Sequence, residues 1–297
     1  MTNPAPSGAA GAPPNRVRLA FSPDSDDMFM FWPLLAGRVD PEGLDFAAER
    51  ADTESLNARA ERGDVDVLAV SAARWPGIAS QYMLLPHGMS VGRGYGPVLV
   101  ASHATTLDRL SGARIGVPGL RTTAYMVLRL LLPRFDAVVI PIAPYARVFE
   151  AIRSRTVDAA LLIHEGRLTY TREGFAAVCD VGQEWARVTG GMPLPLGANA
   201  IRRGLGAERI AQVSRLLRAS IGWALAHREE TMSALLDREG RTDLPLDRAM
   251  LDRYLAMYAN ADTLDAPEEV RQALRELYVR AQRAGLLDEV PPLDFAP

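Results

Sequence analysis

Ser55-Leu-Asn-Ala-Arg-Ala-Glu-Arg-Gly-Asp-Val-Asp-Val-Leu-Ala-Val-Ser71 and Val148-Phe-Glu-Ala-Ile-Arg-Ser-Arg-Thr-Val-Asp-Ala-Ala-Leu-Leu-Ile-His164 read alike. Each runs through a helix, a tight turn, a Val-Asp pair and an apolar strand to a terminal polar residue. The apolar runs are short and bounded by turn signals, the pattern of a strand covered on both faces. The echo points to two lobes of like construction, each presenting a polar group at the C-terminal end of a strand. Ligands of open α/β sheets bind at that place. Two such lobes facing each other across a cleft would set Ser71 opposite His164.

Outward from these segments the same alternation continues. Strands are expected at Val17–Phe21, Leu44–Ala48, Tyr82–Leu85, Pro97–Ala101, Arg114–Val117 and Ala137–Pro141, with further pieces at Val178 and Leu196–Ile201. Helices are expected from Met28, over Thr122–Leu132 and over Val181–Thr189. Beyond Gly206 the pattern is helical throughout. Alternating strands and helices indicate an α/β fold with largely parallel sheets.

The 297 residues suit about two domains of ~150 residues each, and 48% apolar with 23% charged residues is ordinary for a globular chain. A net charge of −3 without a basic block argues against nucleic acid as a partner. One cysteine, Cys179, excludes a disulfide framework and a multi-thiolate zinc site. All 33 basic residues are Arg. Lysine Schiff bases, PLP anchoring and a Walker-type phosphate loop are therefore ruled out. Residues 1–15, rich in Pro, Gly and Ala, lack the charged start and apolar run of a signal peptide. A disordered tail and a cytoplasmic location are expected. No stretch reaches the ~18 uninterrupted apolar residues of a membrane span.

His164 is the leading candidate for chemistry, because imidazole directly after a buried strand can take a proton near neutral pH. The plainer alternative is a His that only bonds a loop carbonyl. In Gly119-Leu-Arg-Thr-Thr-Ala-Tyr125, Thr122 and Thr123 open a helix whose first amides could receive a carboxylate or phosphate, besides serving as an N-cap. Ser71 could face a ligand; without a G-x-S-x-G elbow it is not a nucleophile. Asp24, Asp26 and Asp27 read as a helix cap with solvated neighbours, Asp27 being the one that could face a ligand. Gly92-Arg-Gly-Tyr-Gly-Pro97 precedes a strand rather than a helix, so it is a flexible turn and not a dinucleotide loop. Cys179 reads as core, as do Trp75, Trp185 and Tyr125, for which lining a pocket is the alternative.

Several strings occurring in order resemble 1,4-dihydroxy-6-naphthoate synthase, a family of the futalosine route to menaquinone. They are Ser22-Pro…Asp27 before Met28-Phe29, Gly92–Pro97, Gly119…Thr122-Thr123-Ala-Tyr125, Ile163-His-Glu-Gly-Arg167…Thr169-Tyr170 and Pro193-Leu-Pro-Leu-Gly197. The resemblance implies the two-lobe fold of type 2 periplasmic binding proteins, with hinge strands near Pro97–His103 and Leu196–Ile201. Residues 16–103 plus 200–297 would form a discontinuous first lobe closed by the C-terminal helices, and 104–199 the second. It further implies a cofactor-independent lyase that turns cyclic dehypoxanthinyl futalosine into 1,4-dihydroxy-6-naphthoate, with no metal.

His164 matches the family's proton acceptor, Thr122 and Thr123 a substrate-binding pair, and Ala69-Val70-Ser71 another substrate-binding stretch. Some relatives carry a lysine where this chain has Ala69, so a positive partner for the substrate carboxylate would be an arginine such as Arg93 or be absent. The sister chorismate dehydratases share the fold but lack the His-Glu string. A cytoplasmic binding or sensor protein of the same fold is the non-enzymatic alternative.

Overall fold

The computed structural model describes residues 15–239 and 246–297. The tail expected over residues 1–15 lies outside them, apart from Asn15. In chain order come β1 (Arg16–Phe21), α1 (Ser25–Leu35), β2 (Asp45–Arg50), α2 (Thr53–Arg59), β3 (Val67–Ser71), β4 (Tyr82–Leu84) and β5 (Ser90–Gly92). There follow β6 (Val98–Ala101), β7 (Arg114–Val117), α3 (Thr123–Leu131), β8 (Asp136–Val139), α4 (Ala146–Arg153), β9 (Ala159–Leu162), α5 (Gly166–Thr169), β10 (Ala176–Asp180) and α6 (Val181–Thr189). The chain ends with β11 (Leu194–Arg202), α7 (Ala207–Ala226), α8 (Arg228–Ala234), α9 (Arg248–Tyr258), α10 (Ala261–Leu264) and α11 (Glu268–Arg283). Among the described residues no helix is long and apolar enough to cross a membrane.

Two sheets result. One has the order β2-β1-β3-β11-β4, with β5 also paired to β11, and the other β10-β6-β9-β7-β8. In each, three neighbouring strands are parallel: β2-β1-β3 in the first and β8-β7-β9 in the second. The next strand, β11 or β6, runs antiparallel. The sheets are therefore mixed rather than largely parallel, because the strands that carry the chain between them enter from the opposite end. The paired segments of the sequence take up matching places. The turn after α2 is made by Gly63 at φ 64° and the turn after α4 by Arg155 at φ 56°, both left-handed.

β6 hydrogen-bonds within the second sheet and β11 within the first. The chain thus changes sheets over residues 93–97 and again over 190–193. The boundaries expected at 103/104 and 199/200 fall later along the chain than these two passages. The fully buried core joins Trp75, Trp185, Tyr145 and Tyr278 across both sheets. A second cluster covers the opposite face of β1 and β3 with α1 and α7, where Phe21 and Phe31 stack at 4.4 Å. Burying each such side chain contributes about 1.5–3 kcal/mol.

The first passage is wedged against the start of α6. A Cβ placed on Gly182 would lie 2.1 Å from the carbonyl carbon of Tyr95. The Tyr95 carbonyl and the Gly96 nitrogen it would meet are backbone and cannot rotate away. Gly182→Ala is accordingly expected to cost about 1–3 kcal/mol through overpacking, read as a lowered thermal midpoint.

Candidate active site

A cleft opens between the sheets. Ser71 and His164 both line it, as do Asp27, Ala69, Val70, Thr122 and Thr123. Arg93 does not. Its guanidinium is held by Asp262 at 2.7 and 2.9 Å and by Glu269 at 3.1 Å, so it ties β5 to the C-terminal helices. The arginine that reaches the cleft is Arg167, itself bound to Asp180 at 2.8 Å and to the Gly96 carbonyl at 2.7 Å. Trp75, Trp185 and Tyr125 stay out of the lining. Burial pushes the Cys179 thiol up to about 12, leaving it an inert neutral group.

His164 follows β9 in a left-handed conformation, φ 49°, rare for a residue with a side chain. That turn lifts the imidazole off the strand axis toward the first lobe. Its Nε2 lies 3.1 Å from Thr53 Oγ1 and 3.3 Å from Asp24 Oδ2, and its Nδ1 lies 3.3 Å from the Tyr254 hydroxyl. Tyr254 donates its single proton to Asp26 Oδ1 at 3.1 Å, and Ser90 donates to Asp26 Oδ2 at 2.6 Å. Burial, with Asp26 and other acids nearby, pushes the Tyr254 phenol well above its ordinary range, so that proton stays in place. The contact with His164 is then one that the tyrosine oxygen accepts. Nδ1 is then the donor of that contact, and Nε2 faces Thr53 and Asp24.

The Ser22–Asp27 turn departs from the expected cap. Asp24 is the N-cap residue of α1, yet its side chain makes no capping bond. The first amide of the helix is met from the other lobe. Glu165 Oε1 accepts from the Ser25 amide at 2.9 Å and from the Ser25 hydroxyl at 2.6 Å. A carboxylate at a helix N-terminus is favoured by the aligned peptide dipoles. Asp24 is left to face His164. Asp26 is almost fully buried, and neither acid is a solvated neighbour. Asp27 accepts from the Ser22 amide at 2.8 Å. It is surrounded by protein except where it opens on the cleft. Burial first and the adjacent Asp26 second hold its carboxyl well above the usual carboxylate range.

At the α3 end the hydroxyls are already engaged. Thr122 Oγ1 accepts from the Tyr125 amide at 3.2 Å and donates to the Gly119 carbonyl at 2.9 Å. Thr123 Oγ1 accepts from the Ala73 amide at 3.0 Å and donates to the Leu196 carbonyl at 2.7 Å. The pair shapes the pocket wall, clamping β11 and the turn after β3 to the helix. What α3 offers a ligand is its first amides, those of Thr123 and Ala124, which have no intrahelical acceptor. Ser71 is oriented by Asn57, which donates to its hydroxyl and accepts from its amide, both at 2.9 Å.

Thr53, Ser90, Asn199, Tyr254 and Tyr258 also line the cleft. None was singled out from sequence. Only Asn199, a polar residue inside an apolar strand, left a local signal.

Residues 17–283 match the family described as menaquinone biosynthesis. The chain is 37% identical over 276 residues to a Thermus thermophilus protein named 1,4-dihydroxy-6-naphthoate synthase, covering 93% of this chain and 97% of that one. It superimposes with a TM-score of 0.83 on protein AF1704 from Archaeoglobus fulgidus, 38% identical, covering 92% of this chain and 99% of the other. An alkanesulfonate-binding protein from Xanthomonas axonopodis pv. citri, 15% identical, aligns at TM-score 0.69 over 96% of this chain and 98% of its own. The fold is that of periplasmic binding proteins.

Two outcomes test the turn. Glu165→Ala, which strands the Ser25 amide and hydroxyl, is expected to destabilise by about 1–3 kcal/mol, while Glu165→Gln keeps an acceptor and most of the stability. The folded state holds Asp27 protonated to higher pH than the unfolded chain does. Its contribution is therefore full below about pH 4 and falls as pH rises toward the raised value. Asp27→Asn should raise the thermal midpoint at pH 8, with the gain vanishing near pH 4.

Proposed function

The chain belongs to the menaquinone-biosynthesis family, and from that membership we propose that it is a 1,4-dihydroxy-6-naphthoate synthase, a lyase acting on cyclic dehypoxanthinyl futalosine in the cytoplasm without a cofactor. The observation that supports the reading is His164, which lines the cleft with Nδ1 bonded to Tyr254 and Nε2 beside Thr53 and Asp24. A binding protein needs no imidazole held between a phenol and a carboxylate.

Nε2 takes the proton next to the substrate carbonyl. The electron pair of that C–H bond forms an enolate, and its collapse breaks the carbon–oxygen bond to the sugar-derived part. The ring that remains becomes aromatic, which supplies the driving force. Asp24 Oδ2, 3.3 Å from Nε2, stabilises the imidazolium as it forms. Asp27, kept protonated by its surroundings, donates a hydrogen bond to the departing oxygen.

The substrate carboxylate sits at the other end, against the first amides of α3 and the Ser71 hydroxyl, whose own proton is left for it by Asn57. Since Arg93 faces outward and the Arg167 charge is engaged by Asp180, neutral donors carry most of this recognition.

The test is direct. Purified protein and cyclic dehypoxanthinyl futalosine should yield naphthoate by liquid chromatography with mass detection. His164→Ala should lower kcat by ~10²–10⁴ with the fold intact. Unaltered turnover in that variant would remove His164 from the mechanism.

A further inference from the structure

Asn199 lies near the middle of β11, 1% exposed, and lines the cleft. Neither Oδ1 nor Nδ2 of its carboxamide has a hydrogen-bond partner among the described residues. Leaving both ends of a buried amide unpaired is unfavourable, and native chains rarely do so without a reason. The surroundings make room for the group. A Cβ on Gly88 would fall 2.0 Å from Nδ2, so the glycine is what lets the carboxamide stand where it does. Directly across the ladder is Ala69, the smallest side chain that could be placed there.

The register fixes where this amide sits relative to the carboxylate end. Gly197 pairs with Ser71 on one side and with Ser90 on the other, and Asn199 pairs with Ala69. Residues directly opposite one another share a face, as do residues two apart. Ser71, Ser90, Ala69 and Asn199 therefore look out from one face of the sheet. Asn199 lies roughly 7 Å along the strand from the Ser71 level at ~3.4 Å per residue. That is the span between the carboxylate of a fused two-ring acid and an oxygen on its far ring.

We propose that Asn199 is the specificity residue for the oxygen-bearing far ring of the ligand, its Oδ1 accepting from a ring hydroxyl and its Nδ2 donating to a ring oxygen. The assignment rests on reading the cleft as the seat of a fused-ring carboxylic acid. It adds to that reading a second anchor, independent of the carboxylate and of His164. A hydroxyl in this position satisfies groups that otherwise stay unpaired, so an analogue lacking it is rejected.

Two probes share the carboxylate and the rings: 1,4-dihydroxy-6-naphthoic acid and 2-naphthoic acid, which has neither hydroxyl. Their dissociation constants are measured by calorimetry in anaerobic buffer for the full chain and for Asn199→Leu, which keeps the volume and removes both polar atoms. Wild type should prefer the dihydroxy acid by at least ~10-fold. Asn199→Leu should bring the ratio near one by weakening that acid alone, with a thermal midpoint at or above wild type. If the leucine variant does not fold, Asn199→Ala is measured in its place. A preference that survives in a folded variant, or is absent from wild type, overturns the assignment. Turnover by wild type is followed in parallel. Loss of the preference in the variant with no wild-type turnover keeps Asn199 as a ligand residue and fells the synthase reading. Turnover with an unchanged preference does the reverse.

Discussion

The carboxylate of Glu165 reaching across to the first turn of α1 is the contact on which the site depends. It joins residues 140 positions apart in sequence and it is buried. By supplying the acceptor that the helix start needs, it releases Asp24 from capping and lets that side chain turn toward His164. It also fixes the position of its own neighbour. His164 and Glu165 are consecutive, so the bond that pins one lobe to the other sets the imidazole against Thr53 and Asp24.

Around this contact the acidic groups are arranged by what each can bond. Asp26 accepts from Ser90 and Tyr254. Asp27, desolvated by burial and with the like charges of Asp26 and Asp24 beside it, is favoured in its neutral form. The proposed roles of His164 as base, Asp24 as partner of the protonated base and Asp27 as donor draw on this arrangement. Pushing apart the protonation of neighbouring acids by environment is how acid and base roles coexist near neutral pH. The periplasmic-binding-protein fold brings a cleft between two lobes that already encloses small molecules. What the proposed chemistry adds to such a cleft is local: a histidine placed at a strand end by a left-handed turn, with Tyr254 behind it.

Much of this was legible in the chain. The repeated helix-turn-strand segments announced two like lobes, because buried strands require short apolar runs and tight turns mark their starts. Position at the C-terminal end of a strand singled out Ser71 and His164, and the helix opening at Thr122 singled out α3. The acidic turn was misread as solvated, since nothing in Asp24-Ser-Asp-Asp27 tells that Ser90, Tyr254 and Glu165 will cover it. The placing of Arg93 near a carboxylate failed for a similar reason. Its partners Asp262 and Glu269 lie on the far side of the sequence, and a charge goes to the nearest opposite charge that folding provides.

Local patterning, which depends only on neighbouring residues, thus determined the elements, the two-lobe plan and the strand end that carries His164. The tertiary structure alone decided which side chains face that histidine, which hydroxyls are engaged by carbonyls, and that Tyr254 from a C-terminal helix closes the back of the site. These are contacts between residues remote in the chain. Their outcome turns on packing and on competition among many possible partners, and no short-range pattern encodes it.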